Sequence, residues 1–471
     1  MNDGEHAIAP PADTEQSLYE VAKKIYPRAV HGWFAAWRWS IVGLTQLVFY
    51  GTPWLVWNDR QAVLFDLGAR KFYIFGLVFW PQDIIYLTAI LILSALSLFL
   101  FTAVAGRLWC GYACPQTVYT EIFMWIERKI EGDRAARMQL DRAPFSIRKL
   151  RLKATKHIAW IVVALWTGFT FVGYFTPINA LANEVVSFSL GPWETFWILF
   201  YGFATWGNAG YMREQVCKYM CPYARFQSAM FDRDTLIITY DQTRGEPRGS
   251  RSRRADHKGL GLGDCVDCGV CVQVCPTGID IRKGLQYECI GCAACIDGCD
   301  QIMDRMGYPR GLIRYSTENA IAHRLSPAQV WRRVLRPRVL VYNGILLAIF
   351  AATVAMLALR VPLKVDVIRD RGALAREVEG GRIENVYRLQ IMNTAERPHR
   401  FAISVAGIDS IEVASGREVE LAGATTRGVP VRVQVEPGKG RGGSNKIEFM
   451  VRAIDEPAVQ VRERAVFVVP R

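Results

Sequence analysis

Five stretches of this 471-residue chain carry no charged side chain: Trp39–Asn58, Ile84–Gly106, Ile158–Asn183, Thr195–Met212 and Val339–Leu359. A helix needs roughly 17 to 25 mostly apolar residues to cross a bilayer, so five such runs exclude a single water-soluble globule. Trp and Tyr near several of their ends add an interfacial signature. Phe72–Gln82 is also uncharged but too short to span, and is expected to lie along the interface or to extend the second helix. The connection from Ile178 to Glu194 lacks Lys and Arg, whereas the one between the second and third runs holds eleven, from Arg107 to Lys156. Positive connections stay in the cytoplasm. That segment and the amino terminus, with Lys23, Lys24, Arg28 and Arg38, are therefore placed inside, and an odd number of spans puts the carboxy terminus outside. The first 30 residues lack the apolar core of a cleavable signal. No nucleic-acid motif accompanies the net charge of +13, which reads as a topology signal, and nucleic acid is not expected as a partner.

Cysteine is missing from the last 172 residues; all twelve lie between Cys110 and Cys299. A small secreted disulfide scaffold would spread them through one domain, so that class is excluded. There is no C-x-x-C-H for covalent haem, and only six histidines. Eight of the cysteines fall within 35 residues. Cys265, Cys268, Cys271 and Cys275 form C-x2-C-x2-C-x3-C followed by Pro276, and Cys289, Cys292, Cys295 and Cys299 repeat the spacing, followed by Asp300. Three thiolates two residues apart wrap one face of a cubane, and in two-cluster ferredoxins the fourth cysteine of each run serves the other cluster. Cys265, Cys268, Cys271 and Cys299 are thus assigned to one [4Fe–4S] centre, and Cys289, Cys292, Cys295 and Cys275 to the second. Zinc prefers two separated C-x2-C pairs.

The other four cysteines form a second constellation. Cys110 and Cys114, then Cys217 and Cys221, each read C-x-Y-x-C-P, with an offset of 107 residues. Each copy follows a pair of uncharged runs, the pattern of a duplicated two-helix unit. Spacing of four puts both thiols on one helical face, and Pro115 and Pro222 disfavour helix at the second cysteine. Such pairs bind a soft metal such as Cu(I) or cycle between dithiol and disulfide. The ordinary fate of a free cysteine is to be a small buried hydrophobe; repetition of the whole pattern argues against it here. His157 is expected to be an interfacial anchor, and Tyr112, Tyr219, Glu121 and Glu214 are weaker candidates near the cysteine pairs.

The domain plan is then a cytoplasmic amino-terminal segment (1–38), a four-span membrane domain (39–242), a basic linker read as flexible (243–263), a cytoplasmic double-cluster ferredoxin-like domain (264–338), a fifth membrane helix (339–359) and a periplasmic domain (360–471). The last contains short alternating runs beginning at Leu363, Val386, Phe401, Val429, Lys446 and Ala465. Period-two alternation broken by Gly, Pro and Asn signals an antiparallel sandwich, and about seven strands in roughly 110 residues point to the immunoglobulin-like type. The fold class is a multi-domain membrane protein: an α-helical transmembrane bundle of about five spans, an α+β double-cluster segment and an all-β sandwich.

Four spans with two C-x3-C-P motifs, a double ferredoxin motif, a fifth span and a terminal sandwich resemble the CcoG/FixG/RdxA family, and the run from Cys275 to Cys299 is similar to its signature. The membrane half also resembles NapH and NosR. The resemblance implies a bacterial inner-membrane iron–sulfur protein needed for assembly of the cbb(3)-type cytochrome c oxidase. It further implies reduction of Cu(II) to Cu(I), with copper held transiently at Cys110, Cys114, Cys217 and Cys221. The implied partners are the lipid bilayer, oxidase assembly factors or copper chaperones, and an unidentified electron donor. Two other readings stay open: a quinol-linked electron carrier to a partner reductase, and a redox-sensing assembly scaffold without catalysis.

Overall fold

The computed structural model describes residues 24–256, 258–370 and 375–470. Among them, three helices are long and apolar enough to cross a membrane: Pro81–Ala105, Ile147–Val172 and Pro337–Ala358.

Helix α1 is Trp33–Gly51, so it starts ahead of the first uncharged run. Arg38, which bounds that run in the sequence, is inside the helix and buried. Past α1, Val63–Asp66, Lys71–Ile74 and Leu77–Phe79 form a three-stranded antiparallel sheet. Of the run Phe72–Gln82, Pro81 and Gln82 do open the next apolar helix, Pro81–Ala105, whereas most of the rest forms this sheet. Phe75 takes the left-handed conformation (φ 51°) that turns one strand into the next, and a helix cannot pass through it.

Helix α2 (Ile84–Ala105) is followed by α3 (Leu108–Tyr112), α4 (Pro115–Glu131) and α5 (Arg134–Arg142). Helix α6 (Ile147–Val172) begins among basic residues, with Ser146 accepting a capping hydrogen bond from the Lys149 amide. It ends well before Asn183, and the rest of that uncharged run turns into α7 (Ile178–Val186). Helix α8 (Pro192–Thr205) continues through Met212 with π geometry, and a second π turn spans Val216–Met220 before α9 (Pro222–Met230). Helices α6 and α8 approach closely because Gly168 has no side chain: a Cβ there would lie 2.3 Å from the Ile198 carbonyl oxygen. At one end of the bundle, buried Glu127 accepts from Arg137 and Arg213, both at 2.9 Å, and Lys156 sits 3.0 Å from Glu131. These ions tie α4, α5 and α6 to the π segment; buried charges persist only when paired in this way.

The cysteine-rich unit is closed by an antiparallel pair, Ile237–Tyr240 with Ile313–Ser316. The first of these strands falls in the range read from the sequence as membrane domain; its partner places it with the cysteine unit. In the basic stretch 243–263, read as flexible, two arginines anchor the described residues to the cysteine unit. Arg244 reaches Asp264 at 2.5 Å, and Arg251 donates to the carbonyls of Gly263 (2.7 Å) and Cys265 (3.2 Å) while covering the Tyr308 ring. Arginine hydrogen bonds supply what the segment lacks in apolar side chains.

The carboxy-terminal unit is a β-sandwich. One sheet has the order 412–415, 426–435, 382–393, 363–369, with 376–378 also on 382–393; the other runs 418–421, 399–406, 443–453, 460–469, all antiparallel. Leu389, Ile391, Phe401, Val431, Phe449 and Phe467 fill the space between the sheets, and the Tyr387 hydroxyl donates across it to the Val466 carbonyl at 2.9 Å. All six alternating runs lie on strands; the ones missed in the sequence are three- and four-residue strands, too short to alternate visibly. The sandwich rests on the start of α2. Asp83 binds Arg360 at 2.9 Å and Lys364 at 2.5 Å, and Met392 packs on Val78 and Trp80.

Candidate functional site

Each ferredoxin-like run bends around its second cysteine. Asp267 and Gly269 flank Cys268 with φ of 50° and 66°, and Gly291 and Ala293 flank Cys292 with φ of 69° and 59°. Two left-handed residues astride one cysteine turn the three thiols of a run to the same side. The runs then cross. One cavity of about 360 Å³ is lined by Cys265, Cys268, Cys271 and Cys299 with Tyr240 and Met303. A second, of about 330 Å³, is lined by Cys275, Cys289, Cys292 and Cys295, and Cys271 lines both. The structure thus groups each triplet with the last cysteine of the other run.

The donors suit an iron–sulfur cluster better than one ion. Among the described residues no three His, Cys, Asp or Glu side chains converge as they do on a single metal; the thiols are spread around apolar hollows. Burial pushes the Cys289 and Cys299 thiols up to about 12 and those of Cys271 and Cys292 up to about 11. Ionising them requires compensating positive charge, which cluster iron provides on binding. Backbone N–H groups of Gly291 and Ala294 aim at the Cys289 and Cys292 sulfurs.

The other four cysteines sit just beyond α2 and the π end of α8. Cys110 is on α3 and Cys217 on the second π turn. Cys114 and Cys221 are extended (ψ 128° and 109°), each followed by the proline that opens α4 or α9, as steric clash with a following proline requires. The two pairs come together. Cys110 feels Cys114 and Cys217, and Cys114 feels Cys221. Burial pushes the Cys110 thiol up to about 12 and Cys217 up to about 11, and their cysteine neighbours add to it. Cys110 also donates to the Gln227 side-chain carbonyl at 3.3 Å.

Two of the four approach the second cysteine run. Cys110 and Cys217 pack in one apolar cluster with Cys292 and Cys295. The approach is so close that a Cβ on Gly111 would lie 2.7 Å from the Cys292 Cα. Arg38 donates to the Cys292 carbonyl at 2.5 Å, Arg107 donates to the carbonyls of Tyr287 and Ala224, and Tyr315 donates to the Gly291 carbonyl at 2.6 Å. Asp297, on the helix Ala294–Met306, accepts from the amides of Phe34 (3.2 Å) and Ala35 (2.7 Å) and so caps α1. None of these four residues stood out in the sequence. Arg38 and Arg107 looked like topology charges, and only their positions beside uncharged runs could have marked them.

The weaker candidates separate. Glu121, Glu214 and Cys217 line a polar cavity with Arg38 and Cys292. His157 stacks on Tyr211 at 5.7 Å and meets Trp160 and Trp206 edge-on, a packing role. Tyr112 is buried, whereas Tyr219 is 65 % exposed.

Three family models match the chain: a 4Fe-4S binding domain over residues 87–132, a 4Fe-4S dicluster domain over 212–318 and an IG-like fold at the C-terminal of FixG over 353–470. The nitrogen fixation protein FixG of Rhizobium meliloti is 37 % identical over 476 residues, covering 93 % of this chain and 91 % of the relative. Protein RdxA of Cereibacter sphaeroides is 40 % identical over 425 residues, 87 % of this chain and 89 % of the relative. The ferredoxin-type protein NapH of Haemophilus influenzae is 23 % identical over 223 residues, 45 % of this chain and 66 % of that protein.

Proposed function

The chain belongs to the FixG/RdxA family of iron–sulfur proteins, and from that premise we propose that it is a membrane electron-transfer protein that reduces Cu(II) to Cu(I) during assembly of a cbb(3)-type cytochrome c oxidase. The observation that carries this reading is the packing of Cys110 and Cys217 directly on the Cys292 loop. Two [4Fe–4S] clusters, one on Cys265, Cys268, Cys271 and Cys299 and one on Cys275, Cys289, Cys292 and Cys295, supply one-electron chemistry when bound. Copper is the substrate. Among the described residues no three side chains converge on a single-ion site, so Cys110, Cys114, Cys217 and Cys221 must draw together as the ion binds; because thiolates favour Cu(I) over Cu(II), capture there favours the reduced ion. All four are only partly buried, which leaves the site open to an incoming ion, and Gln227 orients Cys110.

Five crossings fit the geometry: α1, α2, α6, α8 with its π extension, and the helix Pro337–Ala358. The cysteine unit touches the start of α1 and the far end of α2, and the sandwich touches the start of α2. The two soluble units therefore occupy opposite faces of the inner membrane, the clusters on the cytoplasmic side with the basic helices and the sandwich in the periplasm. Oxidase assembly factors or copper chaperones receive the Cu(I).

A second reading has its own support. The 4Fe-4S binding model over 87–132 contains only Cys110 and Cys114, and with Cys217 and Cys221 a third cluster would be complete. Iron analysis of anaerobically purified protein decides between them: about eight irons per chain for two clusters, about twelve for three. With eight irons, replacing all four membrane cysteines by Ser should abolish Cu(II) reduction without changing iron content. Reduction surviving that change would remove copper from this site.

A further inference from the structure

An apolar groove of about 900 Å³ lies between the first turns of α1 and the end of α2, lined by Trp33, Trp37, Phe101, Trp109, Tyr112 and Tyr315 among others. Its mouth is open: Trp33 is 70 % and Trp37 50 % exposed. It stands where α2, a membrane-spanning helix, ends, so the mouth faces the lipid at headgroup depth. No charged side chain is among its described lining residues, which argues against a phosphate-bearing headgroup. Two phenols mark the groove. Tyr315 commits its proton to the Gly291 carbonyl at 2.6 Å, and the Tyr112 oxygen lies 3.5 Å from that of Tyr315. In that long contact Tyr112 is the acceptor, and no hydrogen bond among the described residues uses the Tyr112 proton, which is free to meet an acceptor. Beyond the phenols is the Cys292 loop, on which Gly111, the neighbour of Tyr112, is packed.

The ligand such a site fits is flat, apolar and membrane-soluble, with a carbonyl or hydroxyl oxygen on its ring. We propose that the groove binds the headgroup of a lipid-soluble quinone or quinol, with Tyr112 donating a hydrogen bond to its ring oxygen. This rests on the electron-transfer reading above and names the class of its electron donor.

The test uses the full-length protein with its clusters, in detergent without oxygen, titrated with decylubiquinone while tryptophan fluorescence is followed. A quinone held beside Trp33, Trp37 and Trp109 should quench in a saturable way. Tyr112→Phe should raise the dissociation constant about fivefold, the loss of one hydrogen bond. Ile41→Phe, which fills the groove from α1, should abolish the saturable component, and Tyr219→Phe, at the matching position of the second motif, should leave it unchanged. Iron content and visible absorption report whether each variant is folded. Unsaturable quenching that is the same in all variants would overturn the proposal, and so would equal displacement of the quinone by a decyl-chain alcohol, which would make the groove an acyl-chain site. Because the titration needs no copper turnover, loss of copper reduction would not mimic either result.

Discussion

The motifs at Cys110 and Cys217 share both cysteines, the tyrosine and the proline, yet the first forms a turn of α-helix and the second a turn of π-helix. Tyr112 is buried and Tyr219 is exposed. Gly111 lies against the backbone of Cys292, and the equivalent position in the second copy accommodates Lys218. Across the interface the copies remain partly reciprocal. Gln116 of the first donates to the Asn208 and Arg213 carbonyls of the second, and Tyr223, the position matching Gln116, donates to the Leu98 carbonyl of the first. Two copies of one motif can therefore meet a single cluster unit only by differing in local structure. The first copy became the seat. The second kept the thiols and took π turns, a geometry that recurs at functional sites.

Four sets of substitutions break or sharpen that comparison. The largest effect is expected from Ser at all four membrane cysteines, with copper reduction falling to background; replacing Cys110 and Cys114 alone, or Cys217 and Cys221 alone, should do the same if both copies form one site. Next, Tyr112→Ala should cost about 3–5 kcal/mol, as for other buried aromatics, and Tyr219→Ala less than about 0.5 kcal/mol. Thermal loss of cluster absorption measures both, and equal shifts would mean that the copies bear equal load. Gly111→Ala should cost about 1–3 kcal/mol by overpacking the Cys292 loop, against almost nothing for Lys218→Ala. The last is Gln227→Ala, about 1 kcal/mol for each of its two hydrogen bonds, from Cys110 and to Thr102, read out as faster exchange or alkylation at Cys110 than at Cys217.

Regular patterns were legible in the sequence and one-sided contacts were not. The doubled C-x2-C-x2-C-x3-C pattern is legible in the spacing, and the expected crossing of its fourth cysteines follows from the two-cluster ferredoxin pattern. The six longer sandwich strands show through alternation, and the apolar helices through missing charge. Arg38 and Arg107 were counted as charges that orient the chain, because composition cannot show that a guanidinium bonds the Cys292 or Tyr287 carbonyl. The sheet around Phe72 was lost because a run of aromatic and apolar residues reads the same in a strand as at a membrane surface. The π turns at Trp206–Met212 have no periodic signature. The groove between α1 and α2 joins residues from four separate elements, which no local window contains.

The cap on α1 also sets an order of events. Phe34 and Asp297 are 263 positions apart, so α1 leaves the ribosome long before the carboxylate that caps it has been synthesised. Until then its leading amides lack that partner. Hydrogen exchange at Phe34 and Ala35 should therefore time the arrival of the cluster unit, slowing only once residues 294–306 have folded against α1.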